Sequence, residues 1–195
     1  MKTLVALFLF AACAIPPAAL AQENDNAQVG VFADYFHLSQ TNTNFAGLGG
    51  RFTLTGFRSV KLEAEAAYDF DQVFTERFTN TGTGIVSVQR SNLRVLHGMI
   101  GPKIEVGHSW VHPFVTLKGG AVNFRFDTRP ATLGTFVSSV QNLRANGVSG
   151  VLYPGGGLEG HLGPLGLRLD VGDEIYFNTA THHNLRVAFG PFIQF

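Results

Sequence analysis

Two adjacent residues, His108 and Ser109, are of the types that could catalyse hydrolysis. A nucleophilic serine needs a base within hydrogen-bond reach and a further group that orients the base. Neighbouring side chains in a strand point to opposite sides, and this pair falls in a predicted turn. We therefore interpret both as turn residues and predict a protein that is not an enzyme.

Two further motifs could bind ligands. His182 and His183 could together hold a metal ion, but no carboxylate or third histidine lies near them in the sequence. Gly155–Gly157 has the composition of a phosphate loop, but neither a strand-to-helix transition nor Lys-Ser/Thr follows it. These glycines are typical of tight curvature or close packing in a strand. We expect no metal site and no cofactor.

The N-terminus has the pattern of a secretory signal. Lys2 precedes an apolar run from Leu4 to Phe10, and Ala19 and Ala21 stand where a signal peptidase requires small residues. We predict a signal peptide over residues 1–21, cleavage before Gln22, and a flexible lead-in over 22–27. The apolar run is too short for a membrane helix, which needs about 20 residues.

The single cysteine, Cys13, lies inside this predicted signal. Lipidation of Cys13 is a minor alternative, because Phe10 occupies the position where a lipoprotein signal prefers a residue like leucine. After cleavage at Gln22 the chain holds no cysteine, so disulfides and thiol chemistry are excluded.

Charge is sparse and balanced. The chain has 14 basic and 14 acidic residues without a basic stripe, which argues against a nucleic-acid partner. Charged residues make up 14% of the sequence, well below the roughly 25% of soluble proteins. Phenylalanine (18 residues) and glycine (23 residues) are abundant, which is compatible with a lipid-exposed wall.

Apolar and polar residues alternate in runs of about ten, which is the signal of β-strands. We predict eight strands over 28–195, namely Gln28–Leu38, Phe45–Thr55, Val60–Phe70, Asn92–Val106, Trp110–Phe126, Gly147–Leu162, Gly166–Phe177 and Asn184–Phe195.

The predicted connections differ in length. Three are short turns, at Gly56–Ser59, Gly107–Ser109 and Gly163–Leu165. The other four are longer, polar loops, at Ser39–Asn44, Asp71–Ser91, Asp127–Asn146 and Asn178–His183. Short turns at one end and longer loops at the other are typical of outer-membrane barrels. An even number of strands places both termini at the short-turn end.

Alternation alone does not decide which face lies inside. A soluble barrel of the lipocalin type would bury the apolar face, whereas a membrane barrel exposes it to lipid. The glycine content, the low charge and the phenylalanines near strand ends favour the membrane type.

The last residues add a specific motif. The C-terminal strand from Leu185 to Phe195 alternates hydrophobic residues and ends in an aromatic, with Phe189, Ile193 and Phe195 on one face. This tail resembles the C-terminal signal that barrel-assembly machinery reads. The mature chain resembles the OmpA-like eight-stranded barrel-domain family, within the porin-like superfamily. The resemblance implies an all-β, eight-stranded antiparallel up-and-down transmembrane β-barrel in a Gram-negative-type outer membrane.

The inward face then carries charges that must pair, because buried charges are tolerated only with partners. We predict a largely structural lumenal network that obstructs a wide channel. Its members are Arg51, Lys61, Glu63, Glu65, Asp69, Lys103, Glu105, Lys118, Glu159, Arg168, Asp170, Glu174 and Arg186.

Two details of the last hairpin can be tested against a structure. If its turn lies near Asn178–His183, Glu174 stands opposite Arg186, with Ile175 opposite Leu185 and Val171 opposite Phe189. Asp173 falls on the lipid face by strict alternation. It either lies near the membrane interface, where a charge costs little, or turns inward at a bulge near Gly172.

The pattern indicates a location and partners but leaves the role open. We expect a monomer in the outer membrane, exported through the periplasm, in contact with outer-membrane lipid, lipopolysaccharide and barrel-assembly machinery. A non-enzymatic structural or surface-display role is the leading hypothesis. A minor small-solute pore and a lipid A- or phospholipid-modifying enzyme are the alternatives, because fold does not imply function.

Overall fold

The chain forms a single closed sheet. The computed structural model describes residues 27–57, 60–79, 86–107, 110–126, 147–178 and 180–195. Its strands are β1 (Ala27–Leu38), β2 (Thr43–Phe57), β3 (Val60–Thr79), β4 (Val86–Glu105), β5 (Val111–Phe126), β6 (Val148–Leu162), β7 (Leu165–Asn178) and β8 (Ala180–Gln194). Each strand pairs antiparallel with the next, and β8 pairs with β1. The prediction of an eight-stranded antiparallel up-and-down barrel is confirmed.

The barrel closes beside its termini. Backbone N–H groups of Ala27 and Phe195 each donate to the other's carbonyl oxygen at 2.9 Å. Closure leaves the wall of the barrel without an unpaired edge, which is the condition a sheet must meet to cross a bilayer. We call the end of the barrel where Ala27 pairs with Phe195 the terminal end, and the opposite end the loop end. Within the described ranges no helix is long and apolar enough to cross a membrane.

The outer surface is apolar. In β1 buried and exposed residues alternate almost without interruption. In β3 Leu62 and Phe70 are each 48% exposed, whereas Glu63 and Asp69 between them are fully buried. This is the inverse of a soluble protein's polarity. The structure therefore agrees with the prediction that the apolar face of each strand points outwards and the charged face inwards.

The β3–β4 hairpin is longer than predicted. The expected loop Asp71–Ser91 is wrong for most of its length, because β3 continues to Thr79 and β4 begins at Val86. The register shifts after Asp69, which is the last residue of β3 that pairs with β2. Beyond this point, residues 72–79 pair with residues 86–93 as a two-stranded ribbon. The segment's Thr, Val and Phe residues favour strands, and its polar composition had suggested a loop. The predicted loop Asp127–Asn146 lies outside the described residues.

The last hairpin is tighter than predicted. The expected loop Asn178–His183 is wrong, because Asn178 pairs directly with Ala180. The register therefore shifts by two residues, and Glu174 lies opposite Asn184 while Gly172 lies opposite Arg186. The predicted pairs on the lipid side are wrong for the same reason. Ile175 lies opposite His183, and Val171 lies opposite Val187. A two-residue shift changes partners but not faces, because the side-chain period of a strand is two.

Asp173 remains on the outer surface. The β7–β8 register is continuous there, so no bulge between these strands turns its side chain inward. Asp173 lies near the loop end, where Oδ2 is 2.5 Å from His183 Nδ1 and Oδ1 accepts from the Asn184 N–H at 3.0 Å. The charge thus has a partner, and its side chain is 41% exposed.

Candidate functional site in the barrel lumen

The barrel interior brings the predicted charged residues together. All thirteen lie on inward faces, and every one except Glu105 is buried. They come from seven of the eight strands, β2 to β8. Strand alternation aims them at one axis, which is why residues over a hundred positions apart meet there.

The centre of the lumen is organised by Arg168 and Lys118. The Arg168 guanidinium donates to Glu63 through both terminal nitrogens, and to Asp170 Oδ2 at 2.6 Å and Glu159 Oε1 at 3.0 Å. Lys118 Nζ lies 2.7 Å from both Glu63 Oε1 and Glu65 Oε2. Charge-assisted bonds of this kind are roughly twice as strong as neutral ones. They link β3 to β5 and β7 across the barrel.

Two lysines extend the network towards the terminal end. Lys103 Nζ contacts Glu159 Oε1 at 2.7 Å and Glu105 Oε1 at 2.8 Å. Lys61 Nζ contacts the other Glu105 oxygen at 2.8 Å. Glu105 therefore bridges two cations where the lumen begins to open.

The loop-end side of the network contains two residues that the sequence prediction omitted. Asp34 accepts from Arg186 Nε at 3.0 Å through each oxygen and lies 2.9 Å from Nη2. His97 contacts Asp69 through Nε2 at 2.6 Å and Glu174 through Nδ1 at 2.7 Å. His97 shares the inward parity of β4 with Lys103 and Glu105, and Asp34 lies at an inward position of β1, so alternation could have identified both.

Aromatic rings support the cations. The Arg168 guanidinium lies 4.0 Å from the Phe114 ring centroid, and that of Arg51 lies 4.4 Å from the Phe32 centroid. Tyr153 donates its hydroxyl proton to Asp170 at 2.8 Å. A desolvated cation on a ring gains roughly 2 kcal/mol, so these contacts partly replace the lost hydration.

The loop end of the lumen is closed by apolar side chains, which the sequence prediction did not anticipate. They come from the ends of six strands that approach the loop end, and they form one buried cluster. Its members are Phe36, Leu38, Phe45, Leu93, Val95, Met99, Val122, Phe124, Val151, Tyr153 and Tyr176. We call this cluster the apolar plug. Its sequence signal is an apolar residue at an inward position next to an apolar residue at an outward one, as at Val95 and Leu96.

The charge inventory of the described lumen is unequal. Six Lys and Arg side chains face eight carboxylates, the seven predicted and Asp34. His97 lies between Asp69 and Glu174, and an imidazolium there would donate to both carboxylates. With His97 counted as a cation, the described lumen has one carboxylate more than cations.

The other predicted residues fall in three places. His108 and Ser109 lie outside the described residues. His182 stacks on Tyr176, with ring centroids 4.8 Å apart. No carboxylate lies near the His182–His183 pair in the sequence, but the β7–β8 register brings Asp173, 10 positions before His183, into contact with it. Among the C-terminal residues, Phe189 and Ile193 face outwards with 53% and 46% exposure.

Comparison with known proteins identifies the fold. Neither a family model nor a curated protein matches the sequence. Among solved structures, Neisserial surface protein A is 10% identical over 87% of this chain and 96% of its own, with a TM-score of 0.52. Ail of Yersinia pestis, solved with the heparin analogue sucrose octasulfate, is 13% identical over 87% and 97%, with a TM-score of 0.50. The chain has the fold of the small eight-stranded outer-membrane β-barrels, as the resemblance implied.

Proposed function

We propose that this chain is an integral outer-membrane β-barrel with a structural or surface-display role, and that it is neither an enzyme nor a pore. The observation that carries this proposal is the inverted polarity of a filled barrel. Its outer wall is apolar, and its lumen is crossed by interlocked ion pairs and covered by the apolar plug. Such a molecule is adapted to lipid but has little room to pass a solute.

Export and assembly complete the proposal. A signal peptide over residues 1–21 directs the chain to the periplasm, and the aromatic tail ending at Phe195 is read by barrel-assembly machinery. The mature barrel acts as a monomer that contacts outer-membrane lipid and lipopolysaccharide through its outer wall. The terminal end then faces the periplasm and the loop end faces the medium.

Fractionation and gel migration test the location together. The full chain is expressed in a Gram-negative host, membranes are separated, and samples are run with and without boiling. We expect the protein in the outer-membrane fraction, with a folded band that shifts on heating. A soluble product without such a shift would contradict the proposal.

Conductance in planar bilayers tests the closed lumen. Arg168 alone contacts carboxylates from β3, β6 and β7, so opening a path requires several buried ion pairs to break together. We expect no stable channel from the refolded protein. Regular conductance steps that scale with protein concentration would instead support the pore.

Lipid analysis tests the remaining alternative. Lipid A and phospholipids from cells with and without the protein should have identical masses. A mass change that depends on the protein would show enzymatic activity and contradict the non-enzymatic role.

A further inference from the structure

Two arginines lie side by side on the outer wall near the loop end. Arg94 on β4 is the direct cross-strand partner of Arg125 on β5. Both point outwards, because their chain neighbours Val95 and Phe124 are buried in the lumen. Directly opposed side chains lie about 4.5–5.5 Å apart at Cβ, where like charges repel each other. An anion shared by this arginine pair would remove the repulsion.

Arg125 is available to such an anion. Arg94 has an acidic neighbour on its β3 side, where Nε is 3.6 Å from Asp71 Oδ1. Arg125 is exposed, and no carboxylate of the described residues lies within ion-pair distance of it. A guanidinium is a planar fork of donors that matches the oxygens of a phosphate group. The arginine pair therefore favours a phosphate-bearing ligand.

The arginine pair lies at the level of lipid headgroups. Tyr68 on β3 is opposite Leu96, which is one outward position from Arg94 towards the terminal end. The Tyr68 ring packs edge-on against Phe70, with centroids 6.0 Å apart. Outward aromatic residues of this kind form girdles at the membrane interfaces of outer-membrane barrels. The guanidinium groups thus lie just beyond the aromatic residues, on the side of the medium.

The outer wall has a hollow on the membrane side of the arginine pair. Ala121 on β5 lies between Gly98 on β4 and Gly150 on β6, and all three point outwards. A Cβ atom at Gly98 or Gly150 would meet nothing within 4 Å. Leu96 and Ile100 flank Gly98 and are 46% and 54% exposed. This outer hollow is four residues, roughly 13 Å, along the strands from the arginine pair, within reach of an acyl chain.

We propose that Arg94 and Arg125 bind a phosphate monoester of lipid A, the glycolipid part of lipopolysaccharide, and that one of its acyl chains lies in the outer hollow. The inference rests on the proposed function, in which the loop end faces the medium and the outer leaflet. A phosphate monoester carries a charge of about −1.5 to −2 at neutral pH and so matches two guanidinium groups better than the diester of a phospholipid. Asn123 lies between the arginine pair and the outer hollow, opposite Leu96, and its amide can bond a sugar hydroxyl or an acyl amide.

The opposite side of the outer wall is less suitable for a phosphate. On β7 and β8 the outward charge near the loop end is Asp173, whose Oδ2 is 2.5 Å from His183 Nδ1. A carboxylate repels a phosphate, so we expect no lipid A site there. His183 therefore provides a control position that is outward and near the loop end but distant from the arginine pair.

The test uses the full mature chain refolded in detergent and titrated with bis-phosphorylated lipid A, with bound lipid counted by native mass spectrometry. We expect one lipid A per barrel, and at least 10-fold weaker binding of dephosphorylated lipid A and of phosphatidylglycerol. Arg125→Gln should weaken lipid A binding about 10- to 100-fold, the usual effect of losing a hydrogen bond between charged groups. Arg125→Lys should lie between the parent and Arg125→Gln, because it keeps the charge but not the fork.

Gly98→Leu tests the outer hollow separately. The new side chain enters open space and leaves both arginines in place, so we expect a folded barrel that binds lipid A more weakly. The matched control is Ala33→Leu, which enlarges a small outward residue on β1, across the barrel from β5. Ala33→Leu and His183→Gln should both bind lipid A like the parent.

Heat-modifiable migration establishes that each variant is folded. Equal binding of dephosphorylated lipid A or of phosphatidylglycerol would overturn the proposal. So would unchanged affinity in Arg125→Gln or Gly98→Leu, or an equal loss in the control variants. The fractionation experiment tests the outer-membrane location independently, so a barrel that reaches the outer membrane but does not retain lipid A would refute this inference alone.

Discussion

Replacing Arg186 by glutamine should strongly destabilise the barrel. The guanidinium is buried and donates to Asp34 through Nε and to Glu65 through Nη1 at 2.6 Å. Its Nη2 lies 2.9 Å from Asp34, and Glu174 is more distant at 3.8 Å. Removing one partner of a buried ion pair costs about 3–5 kcal/mol, because the other charge remains desolvated. We expect a loss of this size in the free energy of unfolding, measured by urea titration and heat-modifiable migration in detergent.

The three carboxylates around Arg186 should respond differently. Glu65 keeps Lys118 at 2.7 Å and Glu174 keeps His97 at 2.7 Å, whereas Arg186 is the cation that pairs with Asp34 in the described part of the chain. The double variant Arg186→Gln/Asp34→Asn should therefore recover about 1–3 kcal/mol of the loss, a normal coupling for residues in contact. Arg186→Gln/Glu174→Gln should recover less, because it also removes a carboxylate from His97.

An exposed pair provides the control for this experiment. Arg94 and Asp71 are 3.6 Å apart with side chains 27% and 38% exposed. Exposed pairs contribute about 0–1 kcal/mol, so Arg94→Gln should have a small effect. If Glu174 coupled to Arg186 more strongly than Asp34 does, or if Arg186→Gln cost no more than Arg94→Gln, the description of the network would be wrong.

The remaining predictions concern assembly, packing, processing and topology. Deleting Phe195 should reduce the amount of barrel in the outer membrane far more than the stability of refolded protein. Burial of one side chain contributes only about 1.5–3 kcal/mol, and the two backbone hydrogen bonds to Ala27 add about 1 kcal/mol each. Normal levels on a membrane blot would refute the assembly role. Gly120→Ala should destabilise by about 1–3 kcal/mol in urea because its Cβ would overlap the Gly98 carbonyl oxygen, whereas Gly98→Ala, with open space at its Cβ, should cost less. N-terminal sequencing of the envelope form should begin at Gln22, and a start at Met1 would exclude cleavage there. An epitope tag within 127–146 should be detected by antibody on intact cells, and detection only after permeabilisation would invert the proposed topology.

The sequence by itself determined the strand number and the faces. A period of two in β3 places Lys61, Glu63 and Glu65 on one side and Leu62 and Phe70 on the other, whatever the neighbouring strands are. The same local rule predicted that the charges share one interior. It could also have added Asp34 and His97, which lie at inward positions of β1 and β4.

Only the tertiary structure decided the partners within that interior. The register of β7 and β8 depends on a turn whose length the sequence did not reveal, and a two-residue shift replaced Glu174 by Gly172 opposite Arg186. Arg186 instead reaches Asp34 across the β1–β8 closure, a contact between residues 152 positions apart. Alternation specifies on which side of the wall a side chain lies, whereas the stagger of closed strands sets its depth in the barrel. For this reason the apolar plug could not be predicted from one strand at a time.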